Sequence, residues 1–525
     1  MRSRKATWAA ALLAGALLAG TAWAQEITIG RGNEPDAIDP HFSRTGNNQM
    51  TAVNMFDRLL LTTPQMSEVP ALAVSWRNID PLTWEVKLRQ GVTFHDGSPF
   101  TAEDVLFSFE RTRSIPNSPA SFASSVASVK TAEIVDPLTI RFTTDTPTPQ
   151  FVTEIGRIYI ASKKAAEGAT TEDFNSGKAT IGTGPYKFVE WVPADRVVLE
   201  RNDSYWGEKP AYQKATLKFI SNDAARVAAL LSGSVDLIDL VPPTDVETLK
   251  ANPDIQLFST ASSRLIYIGV DSDRDESPFV TDVDGRPMDR NPLKDSRVRL
   301  ALSKMIDRGA IVDRILYGSG TPAGQLVPEG LFGFNPDLKP VAADPQGAKA
   351  LLAEAGWGQG FGLTVHGSND RFSYDGQVAQ AIGQLLARGG IKINKVDAQP
   401  YSVYAKAATN REFSFFVFSF GSSTGEASAG LNSVLHTFDK EGGMGANNRA
   451  RYSNPEFDKV LQEALQEFDD GRREKLLQQA AAIAFGDTAI IPLYWQEVYW
   501  AGRKGVTYDA RRDERTIVYD ARPAP

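Results

Sequence analysis

The chain has 525 residues, with 42% apolar, 23% charged and 10% aromatic side chains, which is a globular composition and excludes a wholly disordered or collagen-like polymer. Its formal charge is -8, and Lys and Arg are scattered, so the basic footprint of a nucleic-acid binder is missing. It has no cysteine, which removes disulfides, thiol nucleophiles and zinc-cysteine sites, and only four histidines, His41, His95, His366 and His436.

Residues 1–24 open with Arg2, Arg4 and Lys5, continue through a leucine-rich uncharged stretch and end on Ala22-Trp23-Ala24, the pattern of a cleaved secretory signal peptide. Export of a cysteine-free chain is expected to end in a bacterial periplasm. After it, Trp84–Leu88 and Thr139–Phe142 alternate with the period of half-buried strands. Between them Thr101-Ala-Glu-Asp104 reads as a capping box opening a helix through Phe107. Asp295 is expected to start a helix with Val298, Leu302, Met305 and Ile306 on one face, running to a stop at Gly318. Next come a strand at Leu363–His366, a helix from Asp375 to Gly389, a strand at Ile391–Val396, a short helix from Tyr401 to Thr409 and a strand at Phe415–Phe420. This βαβαβ order, ending in a run apolar on both faces, predicts a doubly wound α/β lobe with a covered parallel sheet. Ser453-Asn-Pro-Glu456 predicts a further capped helix whose Phe457, Val460, Leu461 and Leu465 face the core.

Three patterns suggest chemistry. Gly421-Ser422-Ser423-Thr424-Gly425 matches the G-x-S-x-G nucleophile elbow of hydrolases and follows a strand. A triad also needs a base oriented by a carboxylate, and only His436, with Glu426 before it, lies downstream, so a polar binding turn is the favoured reading and a serine hydrolase using Ser423 the minor one. Asp271-x-Asp273-x-Asp275 with Asp282 superficially resembles a calcium loop, yet Glu276 replaces its sharp-turn glycine, and a solvated acidic connector is expected. No histidine pair has metal-ligand spacing, and phosphate-cradling glycine motifs are missing, so no metal and no cofactor are expected. In a doubly wound lobe ligands sit beyond the C-terminal strand ends, which points the loop from Gly421 to Glu426 into a crevice.

Several spaced motifs then resemble one family in order: Ala37-Ile38-Asp39-Pro40, Phe56-Asp57-Arg58-Leu59-Leu60, Leu88–Gly97 with Phe100–Val105, Gly182-Thr183-Gly184-Pro185-Tyr186, Asn202–Gly207, Gly233–Asp236 and Val298–Arg308. They are similar to the extracellular solute-binding proteins of family 5, the dipeptide, oligopeptide and nickel receptors of ABC importers. The resemblance implies an α/β, two-lobed periplasmic-binding-protein-like (type II) fold with an extra subdomain inserted in the first lobe. Its implied parts are a lobe I core of 25–60, 182–270 and 489–525, an inserted subdomain of 61–181 and a lobe II of 271–488. It implies that Phe56–Leu60 forms the family's first helix and that His95 is scaffold. It also implies no catalysis, a peptide or peptide-like ligand, a monomer, and an ABC permease with its ATPases as partners. In peptide receptors of this family an aspartate three residues after a Gly-Trp pair holds the ligand ammonium; here Phe420 stands for the Trp and Ser423 for the Asp. Glu426 is the candidate replacement, and the change opens the alternative of an opine, a glycoside or a nickel complex as ligand. Arg371 is the candidate partner of a ligand carboxylate, Tyr374, Phe420 and Trp495 are candidate pocket aromatics, and Glu34 and Asn47 flank the opening turn.

Overall fold

The structure, a computed structural model, describes residues 26–422 and 424–525; the signal segment 1–24 and Ser423 lie outside the described residues. Eight strands carry the architecture: β1 (Glu26–Arg31), β2 (Lys214–Phe219), β3 (Leu237–Ile238), β4 (Ile255–Val270), β5 (Gly362–Ser368), β6 (Lys392–Gln399), β7 (Phe415–Gly421) and β8 (Ile490–Arg503). They share one sheet in the order β5-β7-β4-β8-β3-β1-β2, with β6 on β5 and the hairpin Tyr186–Val192/Arg196–Arg201 beyond β2.

The two long strands β4 and β8 run through both halves of this sheet. Leu237 and Ile238 of β3 pair with Gly502 and Ala501 near the end of β8, whereas Arg264–Val270 of β4 pair with β7. The β4–β8 register breaks between Ala261, opposite Glu497, and Leu265, opposite Trp495. Four residue steps on one strand thus face two on the other, a bulge that bends the ribbon and leaves Arg264 paired with Gly421 of β7 but with no partner on β8.

The second half follows its expected order with small shifts. β5, α1 (Asp375–Gly389), β6, α2 (Tyr401–Thr409) and β7 succeed one another, and β5 is parallel to both β6 and β7. Phe415 and Val417 face one core, Phe416 and Phe418 the other, so β7 is covered on both sides. Burial of each such side chain contributes about 1.5–3 kcal/mol. Helix α1 buries Val378, Ile382 and Leu386 completely and is closed by Gly390 at φ +102°.

Three expectations need correction. The helix begun at Asp295 stops at Met305, because Ile306 turns extended and Asp307 caps a second helix, Arg308–Arg314, by accepting from the Ala310 amide at 2.9 Å. The cap of the Pro455–Gln466 helix is Asn454 instead of Ser453. Phe56–Leu60 forms no helix; the helix lies upstream at Gly46–Ala52. Asp57 is drawn instead into hydrogen bonds from Thr183 Oγ1 (2.9 Å), Trp206 Nε1 (2.7 Å) and Tyr205 OH (3.2 Å), which ties three of the spaced motifs together. Gly184 belongs to the same knot: a Cβ there would lie 2.5 Å from the Met55 carbonyl carbon.

Residues 61–181 hold a separate four-stranded sheet, Ala73–Asp80, Thr83–Leu88, Thr139–Thr143 and Thr131–Asp136 in spatial order. The Thr101–Asp104 capping box opens the Ala102–Thr112 helix as expected, and Phe109 stacks on Phe142 of that sheet. This sheet shares its core with β1 and β2 and with the C-terminal segment around Trp500 and Val518. It also reaches the second half, where Trp84 meets Phe468 at 6.1 Å between ring centroids.

Candidate interlobe binding site

The loop that leaves β7 is held by strand β4. Ser263 Oγ donates to the Ser422 carbonyl at 2.9 Å, and Ser422 Oγ donates to the Glu426 carbonyl at 3.2 Å. Gly425 has φ +66°, and a Cβ there would sit 2.4 Å from the Met66 carbonyl. Only glycine lets this loop of the second half meet the turn at Met66 so closely. A cleft of about 730 Å3 opens here between Gln65, Glu68 and Thr153 on one side and Phe332, Thr424 and Arg473 on the other.

Glu426, the candidate ammonium acceptor, has its carboxylate bound to Arg473. Arg473 also pairs with Asp470 at 3.0 Å and lies over the Phe332 ring at 4.3 Å. Side-chain exposure is 8% for Glu426 and 9% for Arg473, so its charge is neutralised inside the wall and is not presented bare to a ligand.

A second charged group stands at the β7 end. Arg264, opposite Gly421 on β4, donates from Nε and Nη2 to Glu514 at 2.9 and 2.6 Å. Burial alone would push the Glu514 carboxyl up, but the Arg264 guanidinium outweighs it, Arg371 adds to the pull, and the group is held below the usual range. Arg371 itself is exposed, makes no ion pair among the described residues, and lies over the Tyr401 ring at 4.9 Å. The C-terminal stretch that carries Glu514 stitches the halves: Ser263 N donates to the Arg512 carbonyl, Arg512 N to Pro64, and Arg512 Nη1 to the Glu329 carbonyl.

Of the residues singled out in the sequence, Phe420 and Gly421 end β7, Ser422, Thr424 and Glu426 follow in the loop, and of these only Thr424 and Glu426 line the cleft; Arg371 lies near Glu514 without pairing with it. Trp495 is 8% exposed, with Nε1 directed at the Leu326 carbonyl (3.4 Å), and lies in one second-half core. Tyr374, at φ +58°, packs on Tyr317 against the core on the opposite sheet face. Glu34 accepts from the Ala194 amide at 2.8 Å in the turn of the outer hairpin, and the Asn47 carbonyl accepts from Thr51 Oγ1 at 3.1 Å within its own helix, so both serve scaffold contacts of the first half. The sequence reading missed Arg264, Glu514 and Arg473. The signal for Arg264 was an arginine opening the apolar run Leu265–Val270, and for Glu514 the charge-dense stretch Arg511–Arg515.

Among the described residues, which exclude Ser423, the other candidate chemistries find no supporting geometry. The His436 ring is engaged by the Thr437 carbonyl, Gln462 and Asp458 and by no residue of the Gly421–Gly425 loop among those described. Asp271 is held by Arg274, Asp275 by Lys294, and Asp282 caps its own turn, while among the described residues no group of three His, Cys, Asp or Glu can hold a metal. His95 accepts from the Gly182 amide at Nδ1 and contacts the Gly184 carbonyl at 3.0 Å, a scaffold position.

Comparison with known proteins agrees with this architecture. Heme-binding protein A of Haemophilus influenzae is 28% identical over 454 residues, 81% of this chain and 78% of that protein. Glutathione-binding protein GsiB of Escherichia coli K12 is 28% identical over 504 residues, 94% of each chain. The solved structure of HbpA2 from Haemophilus parasuis superposes with a TM-score of 0.82 at 25% identity, covering 95% of this chain and 100% of that one. The model of the bacterial extracellular solute-binding proteins, family 5 Middle, matches residues 68–442, and the chain belongs to that family.

Proposed function

We propose that this protein is the exported, periplasmic substrate-binding component of an ABC importer, enclosing a peptide or peptide-like solute between two lobes and delivering it to a membrane permease and its ATPases. It performs no chemistry on that solute. In this reading lobe I comprises 25–60, 182–270 and 489–525 with 61–181 inserted, lobe II comprises 271–488, and the bulged β4–β8 ribbon is the hinge. The observation that carries it is the cleft between the Met66 turn and the Thr424–Glu426 loop, at the C-terminal end of β7, in a chain of this family. The GsiB likeness supports a peptide-like solute, since glutathione is a tripeptide with two carboxylates.

One observation favours a variant of this reading. Glu426 is bound by Arg473 and Glu514 by Arg264, while Arg371 makes no ion pair among the described residues. Near the β7 end this leaves Arg371 as a cation for a ligand carboxylate while the loop's own carboxylate is committed, which suits a solute such as an opine that lacks a free α-amine; Glu68, Glu329 and Glu474, which also line the cleft, suit one that keeps it.

Thermal shifts of the purified protein test both readings, because a ligand bound only by the folded state raises the melting temperature. Di- to pentapeptides and glutathione are expected to stabilise it; shifts confined to N-blocked peptides or opines select the variant. Stabilisation by none of these compounds would overturn the peptide-like assignment.

A further inference from the structure

Three arginines of the second half converge with no carboxylate among them. Arg411 follows α2, and Arg449 and Arg451 lie on the loop before the Pro455–Gln466 helix. Arg451 Nη2 donates to the Arg411 carbonyl at 3.3 Å, and Arg449 Nη2 to Thr409 Oγ1 at 3.4 Å, so the three side chains share one patch. None of them makes an ion pair with an Asp or Glu among the described residues. Glu412 is engaged by Asn410 at 2.9 Å, and Asp439 by the amides of Glu441 and Gly442 at 3.0 Å each.

The patch is built to hold its cations in place. The Arg449 guanidinium lies 4.3 Å over the Phe418 ring and that of Arg411 3.9 Å over Phe438, whose ring is 47% exposed. Aromatic faces fix guanidinium planes and favour their charge. Arg411 and Arg451 both take the left-handed backbone at φ +59°, which non-glycine residues adopt at a cost. The Nε atoms of Arg449 and Arg451 are buried and have no acceptor. Buried donors of this kind are normally completed by water or an ion. Burial, and then repulsion from Arg451 and Arg449, holds Arg411 below the ordinary arginine range.

Arg411 precedes the first residue of β7 and Arg449 lies over Phe418 near its middle, whereas the cleft lies past its last residue and none of the three arginines lines it. A multiply charged oxyanion would accept from three planar donor forks and cancel their repulsion. We propose that Arg411, Arg449 and Arg451 form a second anion site, separate from the interlobe cleft, for a multiply charged oxyanion of the phosphate type. It does not depend on the identity of the transported solute.

The test is calorimetric titration of the purified protein with inorganic phosphate at constant ionic strength, with sulfate and citrate as further arms that separate a tetrahedral dianion from a polycarboxylate. Saturable phosphate binding is expected, weakened at least tenfold in Arg411→Gln and Arg449→Gln and unchanged in Arg388→Gln, an exposed arginine elsewhere on the same half. Arg411→Lys keeps the charge without the fork, so it is expected to bind phosphate several-fold more weakly while remaining folded by circular dichroism. No saturable phosphate binding, binding of citrate alone, or equal binding in all variants would overturn the proposal.

Discussion

Arg264 and Glu514, 250 residues apart, form a two-point ion pair where the β4–β8 register breaks, with side-chain exposures of 23% and 20%. The pair couples the C-terminal stretch to the bulged β4–β8 ribbon near the end of β7, and it leaves Arg371 as the open cation beside it.

That division predicts a split between two arginines. Arg264→Ala strands a largely buried carboxylate and is expected to cost roughly 3 kcal/mol of stability by urea denaturation. Arg371→Ala is expected to leave stability within about 0.5 kcal/mol, because the side chain is exposed and without an ion pair. The same variant should weaken binding of a carboxylate-bearing solute by roughly tenfold or more in calorimetry, the value of a lost charged hydrogen bond.

The Glu426–Arg473 pair in the cleft wall behaves differently. Arg473→Ala is expected to destabilise by roughly 3 kcal/mol, since Glu426 loses its counter-ion inside the wall. The Glu426→Leu/Arg473→Leu double variant should recover most of that loss, because a buried ion pair contributes little net stability relative to apolar side chains. Calorimetry on Arg473→Ala should also show improved binding of solutes with a free ammonium group, for which Glu426 is then available.

Gly425 is expected to tolerate no side chain. Gly425→Ala adds a Cβ 2.4 Å from the Met66 carbonyl at a positive φ, so the loop must withdraw from the first half. A loss of about 2 kcal/mol in stability and a solute affinity about tenfold lower are expected from urea denaturation and calorimetry.

His95 sets a pH dependence. Burial lowers its pKa from 6.5 to about 4, so the unfolded chain binds a proton that the folded one refuses between those values. The stability contributed by the neutral ring is complete above pH 6.5 and is lost as pH falls towards 4. At about 1.4 kcal/mol per pH unit, the His95 share amounts to roughly 2 kcal/mol between pH 6.5 and 5. Denaturation curves at the two pH values should show His95→Asn lacking that increment of loss relative to the unaltered protein.

The parts legible in the sequence were those set by local periodicity. The β5-α1-β6-α2-β7 run was readable because alternation, helical spacing and glycine stops are all short-range signals, and the Thr101–Asp104 box because its partners are three residues apart. The break at Ile306 was hidden because Asp307 both continues a polar helix face and caps the next helix. Phe56–Leu60 misled because Asp57 answers to Thr183, Tyr205 and Trp206, more than 120 residues away. The Arg264–Glu514 and Glu426–Arg473 pairs have no local signature, since tertiary folding alone places them, so the loop was legible while its charge balance was not.

Closure of the two halves on solute is the central claim, and the cysteine-free chain permits a direct test with one dye at Val189→Cys, exposed on the outer hairpin of the first half, and one at Lys440→Cys, exposed on the second. Single-molecule energy transfer between them is expected to shift to one high-efficiency population when glutathione, or whichever peptide gives the largest thermal shift, reaches saturation, and to return when the ligand is removed. Unchanged transfer efficiency under conditions where the same ligand raises the melting temperature would mean that solute binds without closing the halves, and would contradict the account.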